Sequence, residues 1–229
     1  KLLLSGEYFI LDGAVGLALP TKFGQTLTVD SSTSSERLVW KSLDHENKVW
    51  FEAQFSETLE IISSSDMDVA KTLQNILSHC KLTTHNSQLT TRLDFPNDWG
   101  LGSSSTLISL LAQYANVDPY ELLTKTFGGS GYDIACATAK QSIVYERRHS
   151  ERSEESRIIK EVPFSPTFKE CLFFVHLGKK QNSREGIQHY RNLTVDKSDY
   201  IEQISALTQK IIHATELDEF CYYMEVHEN

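Results

Sequence analysis

Two periodicities run through the chain and divide it into recognisable pieces. In QLTTRLDF, Leu89, Thr91, Leu93 and Phe95 fall on one side of a period-two alternation, which predicts a strand running into Pro96. RLVWKSL and KVWFEAQF carry aromatic and β-branched residues on either side of Asp44-His45-Glu46-Asn47 and predict a hairpin. After Ser63 to Ser65 the period changes: Met67, Ala70, Leu73, Leu77 and Cys80 in DMDVAKTLQNILSHC form one helical stripe. Leu107, Ile108, Leu111, Tyr114 and Ala115 form another, so residues 88 to 117 read as strand, glycine and serine turn, helix.

The flanks are read the same way. LLLSGEY, FILDGA and LTVDSS predict short strands, with Asp12-Gly13 as a hairpin signal. Asp118-Pro119-Tyr120-Glu121 has an N-cap residue, a proline in the first helical position and a glutamate three residues after the cap, so a helix opens there and ends near Gly128-Gly129. SIVYERR and ECLFFVHLG predict later strands. Between them HSERSEESR has almost nothing to bury and predicts a mobile loop or insertion. From Ser183 the pattern is helical: REGIQHYRN, then DYIEQISALTQKIIHA with Ile201, Ile204, Leu207, Ile211 and Ile212 on one stripe, then LDEFCYYMEV. There is no internal repeat. Strands followed by helices describe an α+β chain of one large domain or two small ones.

Charge narrows the partners. With 22 Lys and Arg against 31 Asp and Glu, the formal net charge of −9 opposes nucleic acid, which needs clustered cations. A single small anion remains acceptable, because local backbone amides can hold it. Cys80, Cys136, Cys171 and Cys221 are scattered, with no metal-ligand spacing, and suit a reducing cytoplasm. Glu7 and Asp12 interrupt the apolar opening well short of the roughly 20 residues a membrane span needs. Starting at Lys1 rather than Met, the chain is expected to lack upstream residues.

Gly100-Leu101-Gly102-Ser103-Ser104-Ser105-Thr106 is the most informative stretch. Its glycines allow close backbone approach, the helix behind it presents amides and a dipole, and its hydroxyls can meet phosphate or magnesium; the alternative is a serine-capped helix after a flexible turn. It lacks the Gly-Lys-Ser/Thr ending of a Walker loop. Gly128-Gly129-Ser130-Gly131-Tyr132-Asp133 ends in a carboxylate that either takes a hydroxyl proton or caps the next helix. Glu121 is a magnesium ligand or part of a capping box. Gly178 to Arg184 is a ligand-binding loop or a solvated turn, and Lys1 and Glu7, read alone, are solvated. The eight histidines form no ligand pattern.

KLLLSGEY at residues 1 to 8, P-x-x-x-GLGSSS at 96 to 105 and SGYD at 130 to 133 resemble, in order and approximate spacing, the GHMP small-molecule kinases, nearest to their mevalonate and phosphomevalonate kinase branches. LGKKQNSREGI adds weaker support. The resemblance implies a two-domain α+β architecture: a ribosomal S5-like N-terminal domain over residues 1–165, and the start of a ferredoxin-like C-terminal domain over residues 166–229, with the active site between them. It implies ATP phosphates against Gly100, Leu101, Gly102, Ser103, Ser104 and Ser105, with magnesium at Ser104 and Glu121. Asp133 and Lys1 become catalytic, and Glu7, Gly131, Lys179 and Ser183 become acceptor contacts.

The implied chemistry is γ-phosphoryl transfer from ATP to a hydroxyl or phosphate of a small anionic acceptor in the cytoplasm. It involves no nucleic acid or membrane and is compatible with a homodimer. An inactive metabolite-binding protein on the same fold, and a sugar or homoserine kinase, are the alternatives. Two positions depart from the family pattern. Leu122 stands where mevalonate kinases have a magnesium-binding glutamate. No glycine follows Gly186, so the family's late glycine-rich loop is absent and the chain is expected to end inside its second domain.

Overall fold

The computed structural model describes residues 1–31, 37–80, 82, 87–148, 156–178 and 183–229. In chain order the strands are β1 (Leu2–Ser5), β2 (Gly16–Leu19), β3 (Gln25–Asp30), β4 (Leu38–Leu43), β5 (Val49–Phe55), β6 (Ile61–Ser64), β7 (Ser87–Leu93), β8 (Ile143–Arg148) and β9 (Ser156–Glu161). The α-helices are α1 (Met67–Cys80), α2 (Ser103–Ala115), α3 (Pro119–Thr126), α4 (Tyr132–Thr138), α5 (Ser183–Arg191), α6 (Ser198–His213) and α7 (Leu217–Glu228). Compactness groups residues 22–134 as one unit and residues 1–21 with 135–229 as another.

In the 22–134 unit, period-two strands make a five-stranded sheet in the order β3-β7-β4-β5-β6. All neighbours are antiparallel except β4 and β7, which run parallel in the register Trp40 with Leu89. The β4–β5 hairpin is the one its sequence predicts. Along β7 every second residue is buried, and Leu89 joins Leu38, Trp40, Phe51 and Phe55 under the helices. Ala70, Leu73, Ile76 and Leu77 of α1 and Ile108, Leu111 and Ala112 of α2 close this core. At roughly 1.5–3 kcal/mol per fully buried large apolar side chain, these residues dominate the unit's stability. The stripes are narrower than predicted, since Met67 and Tyr114 are exposed. Two buried polar groups of the sheet share one acceptor: the Trp40 indole and the Thr91 hydroxyl both donate to Ser42 Oγ, each at 3.0 Å.

In the other unit, β1-β2-β8-β9 form an antiparallel sheet. Its core gathers Leu17, Phe168, Ile211, Ala214 and Phe220, so α6 and α7 bury their apolar faces here. Two predicted strands are not strands. Phe9–Asp12 is a 3-10 turn closed by Gly13 at φ 101°, and β1 and β2 pair on either side of it. Leu172 to Leu177 follows a 3-10 turn at Lys169–Cys171 and has no strand partner among the described residues. Phe173 and Leu177 are 82% and 87% exposed. Conversely, Ser156 and Arg157, read as loop, begin β9 opposite β8; residues 149 to 155 of the predicted charged loop lie outside the described residues.

Candidate functional site

The GLGSSS turn stands between a sheet strand and a core helix. After β7, a 3-10 turn at Asn97–Trp99 leads to Gly100 at φ 70° and Gly102 at φ 88°, both in the left-handed region that glycine alone enters cheaply. A side chain at Gly100 would meet nothing within 4 Å. Gly102 occupies the cap position of α2, and no side chain caps the helix. The serines therefore do not do what a serine cap does. Ser105 is buried and its Oγ donates to the Gly102 carbonyl at 2.9 Å, while Ser103 Oγ donates to Asn97 Oδ1 at 3.2 Å. Thr106 Oγ1 reaches Gln25 Oε1 on β3 at 2.7 Å, tying the turn to the sheet. Ser104 is exposed, and its hydroxyl bonds to none of the described residues. An uncapped helix start beside one uncommitted hydroxyl can receive an anion or a cation's oxygen shell.

The second turn lies in the same unit. Gly128 N donates to the Leu123 carbonyl at 2.7 Å and ends α3, and Gly128, Gly129 and Gly131 all have positive φ. They carry the chain round to α4, whose second residue is Asp133. Asp133 is thus inside the helix rather than at its cap, and its Oδ1 is shielded from solvent. Gly131 is buried one residue before the helix.

Glu121 behaves differently. Asp118 caps α3 by accepting from the amides of Tyr120 and Glu121, at 2.7 and 2.9 Å. The Glu121 carboxylate is exposed and bonds Lys125 Nζ one turn on, at 2.5 Å. Among the described residues no three His, Cys, Asp or Glu side chains gather as a metal site. Cys80 is not a nucleophile, because burial pushes its thiol up to about 11. A concavity of about 410 Å³ on β4, β5 and β6, lined by Lys41, Glu52, Gln54 and Ser63 to Ser65, contains none of the predicted site residues.

Lys1, Glu7 and Ser183 belong to the other unit. Lys1 immediately precedes β1, Glu7 is exposed just after Gly6, and Ser183 is the first residue of α5; Lys179 lies outside the described residues. What holds the first motif is a set of polar side chains, most of them contributed from far along the sequence. Leu17 N donates to Ser5 Oγ at 3.2 Å, Ser5 Oγ meets Thr208 Oγ1 at 2.9 Å, and Thr208 Oγ1 donates to the Val15 carbonyl at 2.9 Å. Val15 N donates to Ser205 Oγ at 3.0 Å, and Gly6 N to His227 Nε2 at 2.9 Å. Gly6 itself is at φ 88°, and a Cβ there would lie 2.9 Å from the Gly16 Cα. Serine and threonine at i and i+3 on an otherwise apolar helix stripe, as Ser205 and Thr208 are on α6, were the available hint.

No family model and no curated protein matches the sequence. Solved structures do. Streptococcus pneumoniae phosphomevalonate kinase in complex with phosphomevalonate and AMPPNP aligns with a TM-score of 0.63 at 15% identity, over 99% of this chain and 76% of that one. L. major mevalonate kinase in complex with R-mevalonate gives 0.60 at 13% identity, over 98% and 71%. A D-glycero-D-manno-heptose 1-phosphate kinase from Bacteriodes thetaiotaomicron gives 0.57 at 16% identity, over 99% and 74%. No helix of the described residues is long and apolar enough to cross a membrane. At these identities the likeness is one of backbone, and in backbone the chain has the fold of the GHMP small-molecule kinases.

Proposed function

We propose that this protein is an ATP-dependent small-molecule kinase, transferring the γ-phosphoryl group to a hydroxyl or phosphate of a small anionic acceptor of the mevalonate or phosphomevalonate kind. The observation that carries the reading is the GLGSSS turn: left-handed glycines, an uncapped α2 and an exposed Ser104 within a kinase fold. Phosphoryl transfer asks a protein mainly for positioning and charge neutralisation, and such a turn offers both. Gly100, Leu101, Gly102, Ser103 and Ser105 shape the cradle. Ser104 would supply a hydroxyl oxygen to a magnesium ion, a cation that takes few protein ligands. Bound there, the ion would neutralise charge on the transferring oxygens. Glu121, assigned to the metal by resemblance, is engaged by Lys125 and would have to exchange that partner.

Asp133 is the group assigned to orient or deprotonate the acceptor hydroxyl. Lys1 is assigned to developing negative charge, and Glu7, Gly131, Lys179 and Ser183 to the acceptor. On this reading residues 1–165 are the nucleotide-binding domain and 166–229 begin the second domain. The four cysteines form no disulfide, which suits the cytoplasm. An ADP-release assay across mevalonate, phosphomevalonate, homoserine and sugars tests the activity. Turnover of an anionic acceptor is expected, and Asp133→Asn should lower kcat by roughly 10²–10⁴ while nucleotide affinity changes little. Nucleotide binding by calorimetry without turnover of any acceptor would leave the inactive binding protein as the correct reading.

A further inference from the structure

Two residues of the 1–21 and 135–229 unit each break a local rule, and they break it against each other. Tyr8 follows Glu7 and holds φ at +62°, a conformation costly for a bulky side chain. Gly186 sits inside α5, where alanine would be favoured by about 1 kcal/mol and the backbone is ordinary helix. A Cβ at Gly186 would lie 2.3 Å from the Tyr8 hydroxyl oxygen and 2.9 and 3.0 Å from two ring carbons. The glycine leaves room for that one phenol.

The rest of the ring is seated with equal care. Tyr190 lies one helical turn beyond Gly186 on the same face of α5. Its ring stacks on Tyr8 at 5.8 Å between centroids with 19° between planes. Tyr190 is itself pinned: its hydroxyl donates to Asp12 Oδ2 at 2.8 Å, Phe9 meets its edge at 5.5 Å, and Lys197 Nζ stands 4.7 Å over its face. Burial raises the Tyr8 phenol above its ordinary value, and Glu7 beside it adds to the rise, so the group that meets Gly186 is neutral at physiological pH. Edge-to-face and stacked rings hold distance and tilt together, which a lone apolar contact does not.

We infer that Tyr8 and Gly186 are a positioning pair: their contact fixes the separation between the turn that carries Glu7 and the first turn of α5, and through it the size of the acceptor admitted there. The inference deepens the kinase reading and rests on its assignment of Glu7 and Ser183 to the acceptor. A pair that only stabilised the fold would not need a strained tyrosine opposite a helix-weakening glycine, because alanine opposite a smaller residue would serve better.

The experiment uses the full chain with the acceptor that the wild-type protein turns over. Gly186→Ala should raise the acceptor KM roughly tenfold, as expected for forcing a methyl group into occupied space, while the ATP KM stays within about twofold. Tyr8→Phe in the Gly186→Ala background removes the atom at 2.3 Å and should recover at least half of that change on a logarithmic scale, the helix-propensity gain of Gly186→Ala being the same in both backgrounds. Near-UV circular dichroism of each variant checks that the aromatic cluster is intact. Equal shifts of both KM values, an unchanged acceptor KM, or no recovery in the double variant would overturn the inference and leave the kinase reading standing. A wild-type protein inert toward every acceptor would instead remove the reading, and the inference with it.

Discussion

Gly6, directly after β1, and Gly100, between the Asn97–Trp99 turn and α2, both hold a left-handed φ, yet their surroundings are opposite. Around Gly6 the protein fills the space: a side chain would press on the Gly16 backbone, and the amide is taken by His227. Around Gly100 there is nothing within 4 Å, and the helix that follows has no side-chain cap. In the first case glycine is required because other parts of the chain occupy the room a side chain would use. In the second it is required for its φ, and the room is left over. A turn that spends its glycines without filling the space they clear has that space available for a ligand, which supports the proposal of a phosphate cradle at the Gly100 turn and not at Gly6.

Four substitutions break or sharpen this contrast. The largest effect belongs to Gly6→Ala, where a φ of +88° and a contact at 2.9 Å combine; about 3 kcal/mol or more of stability should be lost, read by denaturant unfolding. Thr208→Val removes the middle of the relay from Leu17 to Val15, so the buried Ser5 hydroxyl loses one of its two partners and the Val15 carbonyl its hydroxyl donor; it should cost about 1–3 kcal/mol and leave nucleotide affinity nearly unchanged. Gly100→Ala meets no neighbour, so only the backbone term of about 1 kcal/mol is expected in stability. Its larger consequence should be a weaker nucleotide site by calorimetry. If Gly6→Ala and Gly100→Ala cost the same stability, the contrast between filled and open turns is wrong.

The smallest effect at neutral pH is that of Tyr190. Burial first, and its bond to Asp12 second, raise its phenol well above the ordinary 10.0. A raised folded value means the stabilisation is complete below pH 10 and is lost as pH rises beyond it. Alkaline unfolding should therefore begin above about pH 10, and Tyr190→Phe should flatten that part of the stability curve while costing about 0.5–1 kcal/mol at pH 7 through the lost bond to Asp12.

Much of this was legible from residue order. The β4–β5 hairpin, α1, the β7–turn–α2 unit and the Asp118-capped α3 each had a pattern tied to one structure: alternation, a 3.6 period or a cap. FILDGA did not, because a run of four apolar and acidic residues fits a strand as well as a turn; positive φ at Tyr8 and Gly13, invisible in composition, decided it. The two glycine turns were found through their sequence, but the serine cap read as an alternative for the first gives way to Gly102 in that position. Thr208, Ser205, His227 and Tyr190 escaped because they act on residues far away in the chain. Beside the polar pair on the α6 stripe, Gly186 left a usable trace, a lone glycine within a helical pattern.

Leu172 to Leu177 carries a practical consequence. Phe173, Phe174, Val175 and Leu177 lie exposed to water within six residues, and an apolar run of that kind invites association between molecules. Preparations of these 229 residues should bind apolar dyes and scatter more light as they are concentrated, so the solution behaviour of the chain will be governed by this short apolar run long before its folded cores begin to melt.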